Sequence, residues 1–449
     1  MTPSKPTPKP VYKATPKPNP NIPKGDGTPK VTPARRAAFE ILTLVGEGKG
    51  HSDELLHSAR IEALSPEDRN LATALVMGVL RWQIALDARI HRHLQRPDQR
   101  LAAPVALSLR MGAFQLLHMD RIPAHAALSE SVEICKLANQ PHAAGMVNAI
   151  LRKIAAAQKP GTRLYESVPA FAERLGHPVW LVERWAALYG RDAALAICEA
   201  GQQEPAENGD SLFIETGADL PSLDLPKMDP GSRLVAELAA AANPKADGNI
   251  WDACAAPGGK TLLLALRAAD AAITATDVSI RRLAQMQARL RRYPYAERVT
   301  SSVLDATAAS STALFDLILC DVPCTGTGTL ARNPEIRHIL RPEELARQAT
   351  RQRAILHSAF ARLTPGGRLV YSTCSLEPEE NERVVEGLAG AKRIPIESFI
   401  TRLADTTILR PEAASTLLNT AVHNGALRTL PGVHPTDGFY AAVLERASE

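Results

Sequence analysis

Apolar residues recur at three- and four-residue spacing through the first part of the chain. The pattern is sustained over several turns in residues 34–48, 68–94 and 104–119. Because this spacing places the apolar side chains on one face, it predicts amphipathic α-helices. Ser65 followed by Pro66 predicts where the second helix starts, since serine caps helix N-termini and proline fits the first helical position. This part of the chain is therefore predicted to be helical throughout.

From residue 249 onward the pattern changes to short apolar runs that alternate with helical stretches. Such alternation predicts strands of a parallel sheet with helices on both faces, the doubly wound α/β arrangement. Ligands of these sheets bind at the carboxyl ends of the strands. The runs predicted as strands are residues 249–254, 271–277, 298–304, 315–321 and 367–373.

The chain of 449 residues is too long for one typical core, so two or three domains are expected. Residues 177–190 are predicted to form a helical connector, whereas residues 201–227 are irregular and acidic. The sequence is 45% hydrophobic but has no apolar run of about 18 residues, which argues against a membrane-spanning segment or a signal-peptide core. A cytoplasmic enzyme is the expectation.

Basic residues are concentrated at the N-terminus. Residues 1–31 repeat proline and lysine, a composition that buries too little apolar surface to fold, so a disordered basic tail is predicted. The formal net charge is +4, but residues 1–36 hold eight basic residues against Asp26 alone, which leaves the rest close to neutral. Two interpretations of the tail stay open, a weak salt-dependent attraction to RNA phosphate and simple solubilisation.

The six cysteines show neither a C-x-x-C pair nor the Cys/His spacing of a zinc site, so no metal is predicted. A disulfide framework is equally unexpected in a cytoplasmic chain. Cys135, Cys198 and Cys320 are expected to be small buried apolar residues. Four of the six lie in or beside predicted strand ends, and this clustering points to chemistry there.

A glycine-rich loop, DACAAPGGKT at residues 252–261, follows the first predicted strand and opens a helix. Gly258 and Gly259 permit a tight turn and a close backbone approach to a ligand, and the helix N-terminus favours a negative group. The loop has neither the G-x-G-x-x-G of dinucleotide folds nor the complete P-loop pattern, which disfavours NAD and ATP.

Aspartates at successive strand ends add to this evidence. Asp277 ends the second strand, where an acid can bond both ribose hydroxyls of a nucleoside. Asp305 follows the third strand and is placed to meet an adenine edge, and Asp321 ends the fourth. Each alone would be an ordinary strand-end cap, but three in succession resemble the S-adenosylmethionine site of class I methyltransferases. The predicted cofactor-binding residues are Cys254, Ala255, Ala256, Pro257, Gly258, Gly259, Lys260, Asp277, Asp305 and Asp321.

Three motifs together, DACAAPGGKT, DVPCTGTGTLARNPEIR and LVYSTCSLEPEENERVV, resemble the motif set of the NOL1/NOP2/sun family of RNA cytosine-5 methyltransferases. In the chemistry of that family a thiolate adds to C6 of cytosine, C5 takes a methyl group, and a base then removes the C5 proton. Residue chemistry alone leaves open which thiol attacks. The resemblance implies that Cys374 attacks and that Cys324 assists proton removal and release. It also implies that Asp321 bonds the cytosine and that Lys260 points into the active site.

The helical part resembles the NusB-type RNA-binding domain that precedes certain bacterial 16S ribosomal RNA methyltransferases, in SPEDRNLATALVMGVLRWQ, RMGAFQLLHMDRIPAHAALSESVEICK and AAGMVNAILRKI. The resemblance implies an all-α NusB-like domain at residues 32–158 and a connector with a shortened RNA-docking segment at residues 159–230. A Rossmann-like, S-adenosylmethionine-dependent methyltransferase domain is expected at residues 231–449, closed by the strand pair LPGVHPTDGFYAAVLER. The implied partner is 16S ribosomal RNA.

The sequence departs from the family at a few positions. Val322 and Thr325 stand where alanine and serine are usual, and residues 202–232 lack an Arg-x-Asn motif and a Gln-Asp pair. Two other functions remain for comparison, an RNA-binding or antitermination scaffold with an inactive methyltransferase half, and a DNA cytosine-5 methyltransferase. The intact catalytic set opposes the first, and the helical front domain and the STCS motif oppose the second.

Overall fold

The computed structural model describes most of the chain, and the predicted basic tail lies outside the described residues except for Val31. The described stretches are residues 31–96, 99–157, 166–205, 211–214, 225–308 and 313–447.

The N-terminal part is a bundle of helices, as the apolar spacing predicts. Ser65 caps its longest helix, since its hydroxyl accepts a hydrogen bond of 3.1 Å from the Asp68 amide. Leu75, Val79 and Met111 are among the fully buried side chains of the core. The helices are α1 Pro33–Gly46, α2 Ser52–Leu56, α3 Ala59–Glu62, α4 Pro66–His91, α5 Ala103–His118, α6 Ala124–Leu137 and α7 Ala144–Ala156.

Within the described residues, α4 is the one helix long and apolar enough to cross a membrane by length and composition. Its apolar face is packed in the core of the bundle, where α4 lies against α1 and α5. Burial inside a helical bundle accounts for that composition, because a core helix needs the same apolar residues.

Three further helices form the connector: α8 Val168–Arg174, α9 Val179–Tyr189 and α10 Arg191–Ala200. They confirm the helix predicted over residues 177–190. Phe171, Trp185 and Ile197 of the connector share one apolar cluster with Leu330 and Leu376 of the C-terminal part. The connector is therefore packed onto the C-terminal unit rather than acting as a free linker.

The C-terminal part is built on one mixed sheet in the order β3-β2-β1-β4-β5-β9-β8-β7, and β6 pairs with β9 outside this path. Strands β1 to β5 are parallel and β9 is antiparallel to β5, which confirms the predicted Rossmann-like arrangement. The strands are β1 Asn249–Asp252, β2 Ala272–Asp277, β3 Val299–Val303, β4 Phe315–Asp321, β5 Leu363–Thr373, β6 Ala391–Ile394, β7 Val422–His423, β8 Ala426–Arg428 and β9 Tyr440–Arg446.

Helices cover both faces of the sheet, and two separate apolar clusters fill the space between them and the strands. The helices of this unit are α11 Pro230–Ala242, α12 Gly259–Arg267, α13 Ile280–Leu290, α14 Ile336–Ile339, α15 Pro342–Phe360, α16 Glu382–Val385, α17 Glu397–Asp405 and α18 Pro411–Thr420.

The expectation of a closing strand pair within residues 430–446 is wrong in part. This segment contributes a single strand, β9, and the antiparallel partner β8 ends before it. Pro431 and Pro435 lie between the two strands, and proline cannot donate to a strand ladder. The chain therefore loops before it re-enters the sheet.

The helical bundle and the C-terminal unit meet at residues 335–338. Arg337 is buried, and its guanidinium donates to the carbonyl of Arg81 at 2.7 Å, while the ring of His338 contacts the carbonyl of Leu80 at 2.7 Å. The carboxylate of Glu335 accepts hydrogen bonds from the amide and hydroxyl of Ser52. These polar contacts fix the bundle beside the edge of the sheet where the strands end.

Candidate active site

The glycine-rich loop turns sharply between β1 and α12. Gly258 has a φ of 91°, a left-handed conformation that favours glycine, and a Cβ there would lie 2.5 Å from Cγ of Met286. Gly258 therefore packs against α13 and shapes the turn. Gly259 begins α12 and lines the cavity that the loop encloses.

This cavity has a volume of about 170 Å³ and lies at the carboxyl end of β1. It brings together seven of the residues predicted to bind the cofactor. They are Cys254, Ala255, Ala256, Pro257, Gly259, Lys260 and Asp321. Its other polar lining residues are Lys227, Asp229, Ser232, Asp252 and Arg289. The sheet therefore places the loop and the end of β4 around one space, as the parallel strand order requires.

Lys260 and Asp321 form a close ion pair, with 2.7 Å between Nζ and Oδ2. The other oxygen of Asp321 accepts a hydrogen bond of 2.8 Å from the Ser372 hydroxyl on β5. Burial lowers the pKa of Lys260, but the ion pair with Asp321 outweighs it and the pKa is raised overall. Lys260 is thus a fixed positive charge at the strand ends.

Asp277 and Asp305 end up in different environments. Asp277 is buried, accepts a hydrogen bond of 2.8 Å from the Ser279 amide and lies 3.6 Å from the guanidinium of Arg282. Asp305 is exposed, and hydrogen bonds from Thr307 lower its pKa. Neither aspartate lines the 170 Å³ cavity. Their predicted contacts with ribose and adenine stay predictions.

Arg282 escaped the sequence analysis. Its guanidinium donates to the carbonyl of Ala256 in the glycine-rich loop and pairs with Asp277, so it joins the two predicted parts of the cofactor site. The feature of the sequence that could have identified Arg282 is its position on the helix that follows Asp277, one turn beyond the end of the strand.

Asp252 also escaped the sequence analysis. Only 1% of the residue is exposed, and burial raises the pKa of its carboxyl to about 7. Its Oδ2 accepts a hydrogen bond of 2.7 Å from the Thr261 hydroxyl, but no hydrogen bond to Oδ1 meets the usual geometry among the described residues. A backbone hydrogen bond from Cys254 also acts on this carboxyl, so Asp252 is a buried acid with few donors beside the cavity.

The two predicted catalytic thiols lie side by side. Sγ of Cys324, after β4, is 3.4 Å from Sγ of Cys374, after β5. This hydrogen bond is the main cause that raises the pKa of Cys324, and burial adds to it. The two sulfurs are therefore close enough to act on one substrate ring, and the assignment of attack to Cys374 stays a prediction.

Both thiols line a larger cleft of about 1380 Å³ between the helical bundle and the C-terminal unit. His51 and His57 lie on the bundle side, and Arg281 and Arg347 lie on the opposite side. An ion pair between Arg281 and Glu54 crosses the cleft. The thiols therefore face a space that two parts of the protein enclose, and residues of the glycine-rich loop line the separate 170 Å³ cavity.

The remaining cysteines are not part of this arrangement. Cys135, Cys198 and Cys320 are completely buried, as predicted, and burial raises the pKa of each thiol. Cys254 lines the 170 Å³ cavity, where burial raises the pKa of its thiol. Each therefore keeps its proton and behaves as a small apolar side chain.

Comparison with known proteins agrees with this architecture. The family model of the 16S rRNA methyltransferases RsmB/F matches residues 239–445, and the NusB family model matches residues 32–156. The crystal structure of PH0851 has a TM-score of 0.68 and covers 94% of this chain and 100% of its own. At 22% identity it shows the likeness of the fold alone.

Two curated relatives match nearly the whole chain. The probable ribosomal RNA small subunit methyltransferase B of Bacillus subtilis (strain 168) is 30% identical, over 93% of this chain and 99% of the relative. The ribosomal RNA small subunit methyltransferase B of Xanthomonas campestris pv. campestris is 32% identical, over 92% of this chain and 97% of the relative. Since identity at this level extends through both the helical bundle and the sheet, the chain belongs to the ribosomal RNA small subunit methyltransferase B family.

Proposed function

We propose that this protein methylates the fifth carbon of a cytosine in 16S ribosomal RNA, with S-adenosylmethionine as methyl donor and a covalent cysteine–cytosine intermediate. The observation that carries the proposal is the pair of sulfurs 3.4 Å apart at the ends of β4 and β5. Covalent addition and proton removal need two such groups at one substrate ring. Membership of the family supports ribosomal RNA as the substrate.

The 170 Å³ cavity has the chemistry that S-adenosylmethionine requires. Asp252 is a buried acid beside the loop, and the N-terminus of α12 favours the carboxylate of an amino acid. Asp277 would hold the ribose and Asp305 the adenine edge. When bound, S-adenosylmethionine supplies an electrophilic methyl group. The chain's own residues orient it and activate the base that receives it.

Attack begins at Cys374. Its thiolate adds to C6 of the cytosine, a C6–S bond forms, and the displaced π electrons make C5 nucleophilic while negative charge develops toward N3. Asp321 at the neighbouring strand end would hydrogen-bond the cytosine and orient it, and the positive charge of its partner Lys260 would stabilise the developing negative charge. The neighbouring Cys324 holds its proton during this step, because its pKa is raised by the hydrogen bond to Cys374.

Product release depends on Cys324, whereas attack depends on Cys374. Once the sulfur of Cys374 is bonded to C6, it no longer raises the pKa of Cys324 as a neighbouring thiolate, so Cys324 gives up its proton to solvent more easily and becomes a thiolate. After C5 has taken the methyl group, the Cys324 thiolate removes the C5 proton. The C5–C6 double bond re-forms, the C6–S bond breaks, and Cys374 leaves as a thiolate.

We place this activity in the cytoplasm, with ribosomal RNA as the partner and no metal ion in the reaction. Within the described residues no group of three histidines, cysteines or acidic residues could hold a metal. The predicted nucleophile, base, aspartate and lysine are all present, which opposes an inactive scaffold. The helical bundle that matches the NusB family opposes a DNA methyltransferase.

Bisulfite sequencing of ribosomal RNA from cells with and without the gene tests the proposal. We expect one cytosine in 16S RNA to be protected in the parent strain and converted in the deletion strain. Complementation with the wild-type gene should restore the protection. Identical conversion patterns in parent and deletion strains would contradict the proposed activity.

A further inference from the structure

Glu380 is an acidic residue in the interior of the thiol side of the site. No part of it is exposed, although glutamate is almost never fully buried unless it is paired. Burial raises the pKa of its carboxyl, and hydrogen bonds to it counter that rise. It lies in the segment EPEEN, six residues beyond Cys374, and none of the roles described above uses it.

Four hydrogen-bond donors surround the carboxylate. Oε1 accepts from the Thr325 amide at 3.0 Å and from the Gln352 side chain at 2.9 Å. Oε2 accepts from the hydroxyls of Thr325 and Ser375. Each oxygen therefore has two donors, which is the full complement that a buried carboxylate needs.

These donors flank the two thiols. Thr325 follows Cys324 in the chain, and Ser375 follows Cys374. Gln352, which is itself buried, also donates to the carbonyl of Pro323 at 2.9 Å, on the other side of Cys324. One carboxylate thus joins the loop after β4 to the loop after β5, immediately beside both sulfurs.

We propose that Glu380 is a positioning residue whose carboxylate sets the distance between the sulfurs of Cys324 and Cys374. The inference rests on the proposed function, because it matters for catalysis only if both thiols act. The backbone of Glu380 is itself fixed, since its carbonyl accepts a hydrogen bond of 2.6 Å from the buried hydroxyl of Tyr371 on β5. The sheet therefore fixes the position of Glu380, and the carboxylate of Glu380 fixes the loops that follow β4 and β5.

The chain offers a conservative variant and a disruptive one. In Glu380→Gln, the amide oxygen can take the place of Oε1 and accept from the two N–H donors. The amide nitrogen can then donate to the hydroxyls of Thr325 and Ser375, because a hydroxyl is both donor and acceptor. Glu380→Ala removes all four bonds. Glu386→Ala is the matched control, since Glu386 is an exposed glutamate directly after α16.

The direct readout is the rate at which the full-length protein, without RNA, closes a disulfide between the two thiols. Diamide takes one hydrogen from each thiol as the S–S bond forms, and peptide mapping by mass spectrometry identifies the Cys324–Cys374 link. We expect the rate in Glu380→Ala to fall about tenfold or more, and Glu380→Gln and Glu386→Ala to stay within about threefold of wild type. Closure at the wild-type rate in Glu380→Ala would overturn the inference.

Steady-state methylation kinetics with RNA distinguish a positioning effect from a general loss of folded structure. We expect kcat of Glu380→Ala to fall about 10- to 100-fold while KM for RNA and cofactor stays within about twofold, with recovery in Glu380→Gln. A rise in KM with unchanged kcat would overturn the inference. If Glu380→Ala does not fold, Thr325→Val removes one hydroxyl donor, and both readouts should then shift in the same direction by less. Wild-type protein that shows no cytosine methylation, with disulfide closure still dependent on Glu380, would contradict the proposed function alone.

Discussion

Two buried carboxyl groups lie near the strand ends, Glu380 beside the thiols and Asp252 beside the cofactor cavity, and their hydrogen bonds differ. Glu380, on the thiol side, has two hydrogen-bond donors at each oxygen. Asp252, on the cofactor side, accepts a bond from the Thr261 hydroxyl at Oδ2, a backbone hydrogen bond from Cys254 also acts on its carboxyl, and no bond of usual geometry reaches Oδ1 among the described residues. Burial raises the pKa of both.

The difference indicates what each carboxyl group does in the site. A carboxylate with every lone pair occupied is complete within the protein, so Glu380 serves to hold other groups in place. Asp252 has fewer donors and lies beside the cofactor cavity, so its protonation state, unlike the position of the two thiols, is the property that we expect to change with pH.

The largest expected effect is on the thiol side. Cys374→Ala should abolish turnover and any covalent RNA adduct, because we assign attack on C6 to Cys374 and proton removal to the neighbouring Cys324. Methylation assays with tritiated cofactor measure this, and the buried Cys198→Ala is the control for loss of a thiol elsewhere. Substantial methylation by Cys374→Ala would remove the covalent mechanism.

The next effect concerns stability on the cofactor side. The folded-state pKa of Asp252 is about 7, above its usual value of 3.8, so the folded protein binds the proton more tightly than the unfolded chain. Its contribution is therefore favourable at low pH and is lost as the pH rises toward 7. Asp252→Asn stays neutral throughout. It should gain stability over wild type with rising pH, by on the order of 1 to 4 kcal/mol at pH 8.

Thermal unfolding at pH 5 and at pH 8 tests this prediction, with Asp247→Asn as a matched control on an exposed acid near β1. The difference in thermal midpoint between Asp252→Asn and wild type should be larger at pH 8. An equal difference at the two pH values would show that Asp252 is ionised to the same extent in the folded protein and in the unfolded chain. The contrast with the fully bonded Glu380 would then lose its basis.

A smaller effect is expected at the outer part of the cofactor site. Asp277→Ala should weaken cofactor binding by about 1 to 3 kcal/mol, the scale for hydrogen bonds to a charged group. Calorimetric titration with S-adenosylhomocysteine measures it. Since the variant also frees Arg282, Arg282→Ala is measured alongside to separate the two contributions. Unchanged affinity in Asp277→Ala would refute its proposed contact with the ribose.

The sequence predicted the parts of this site that depend on strand ends and turn residues. The positions of Asp277 and Asp321 at strand ends, and the turn at Gly258, follow from apolar runs and from glycine chemistry, and the structure confirms them. The choice of Cys374 over Cys324 came from the family motifs, and no geometry read from the sequence could have made it.

The sequence did not reveal the buried acids. EPEEN contains three glutamates, and a charged run is ordinarily solvated, so nothing local marks Glu380 as interior. Its burial depends on Thr325 and Gln352, which come from other parts of the chain. The burial of Asp252 could not be predicted either, because it depends on how the chain packs and not on the spacing of residues in the sequence.

Covalent trapping with Cys324→Ala tests the central claim most directly, the division of labour between the two thiols. This variant should still attack and take up methyl, but the product should stay bonded to the enzyme through Cys374. On a denaturing gel with substrate RNA and S-adenosylmethionine, we expect a shifted band for Cys324→Ala that disappears when Cys374→Ala is added. An adduct in Cys374→Ala and none in Cys324→Ala would contradict the account, because Cys324 would then be the nucleophile.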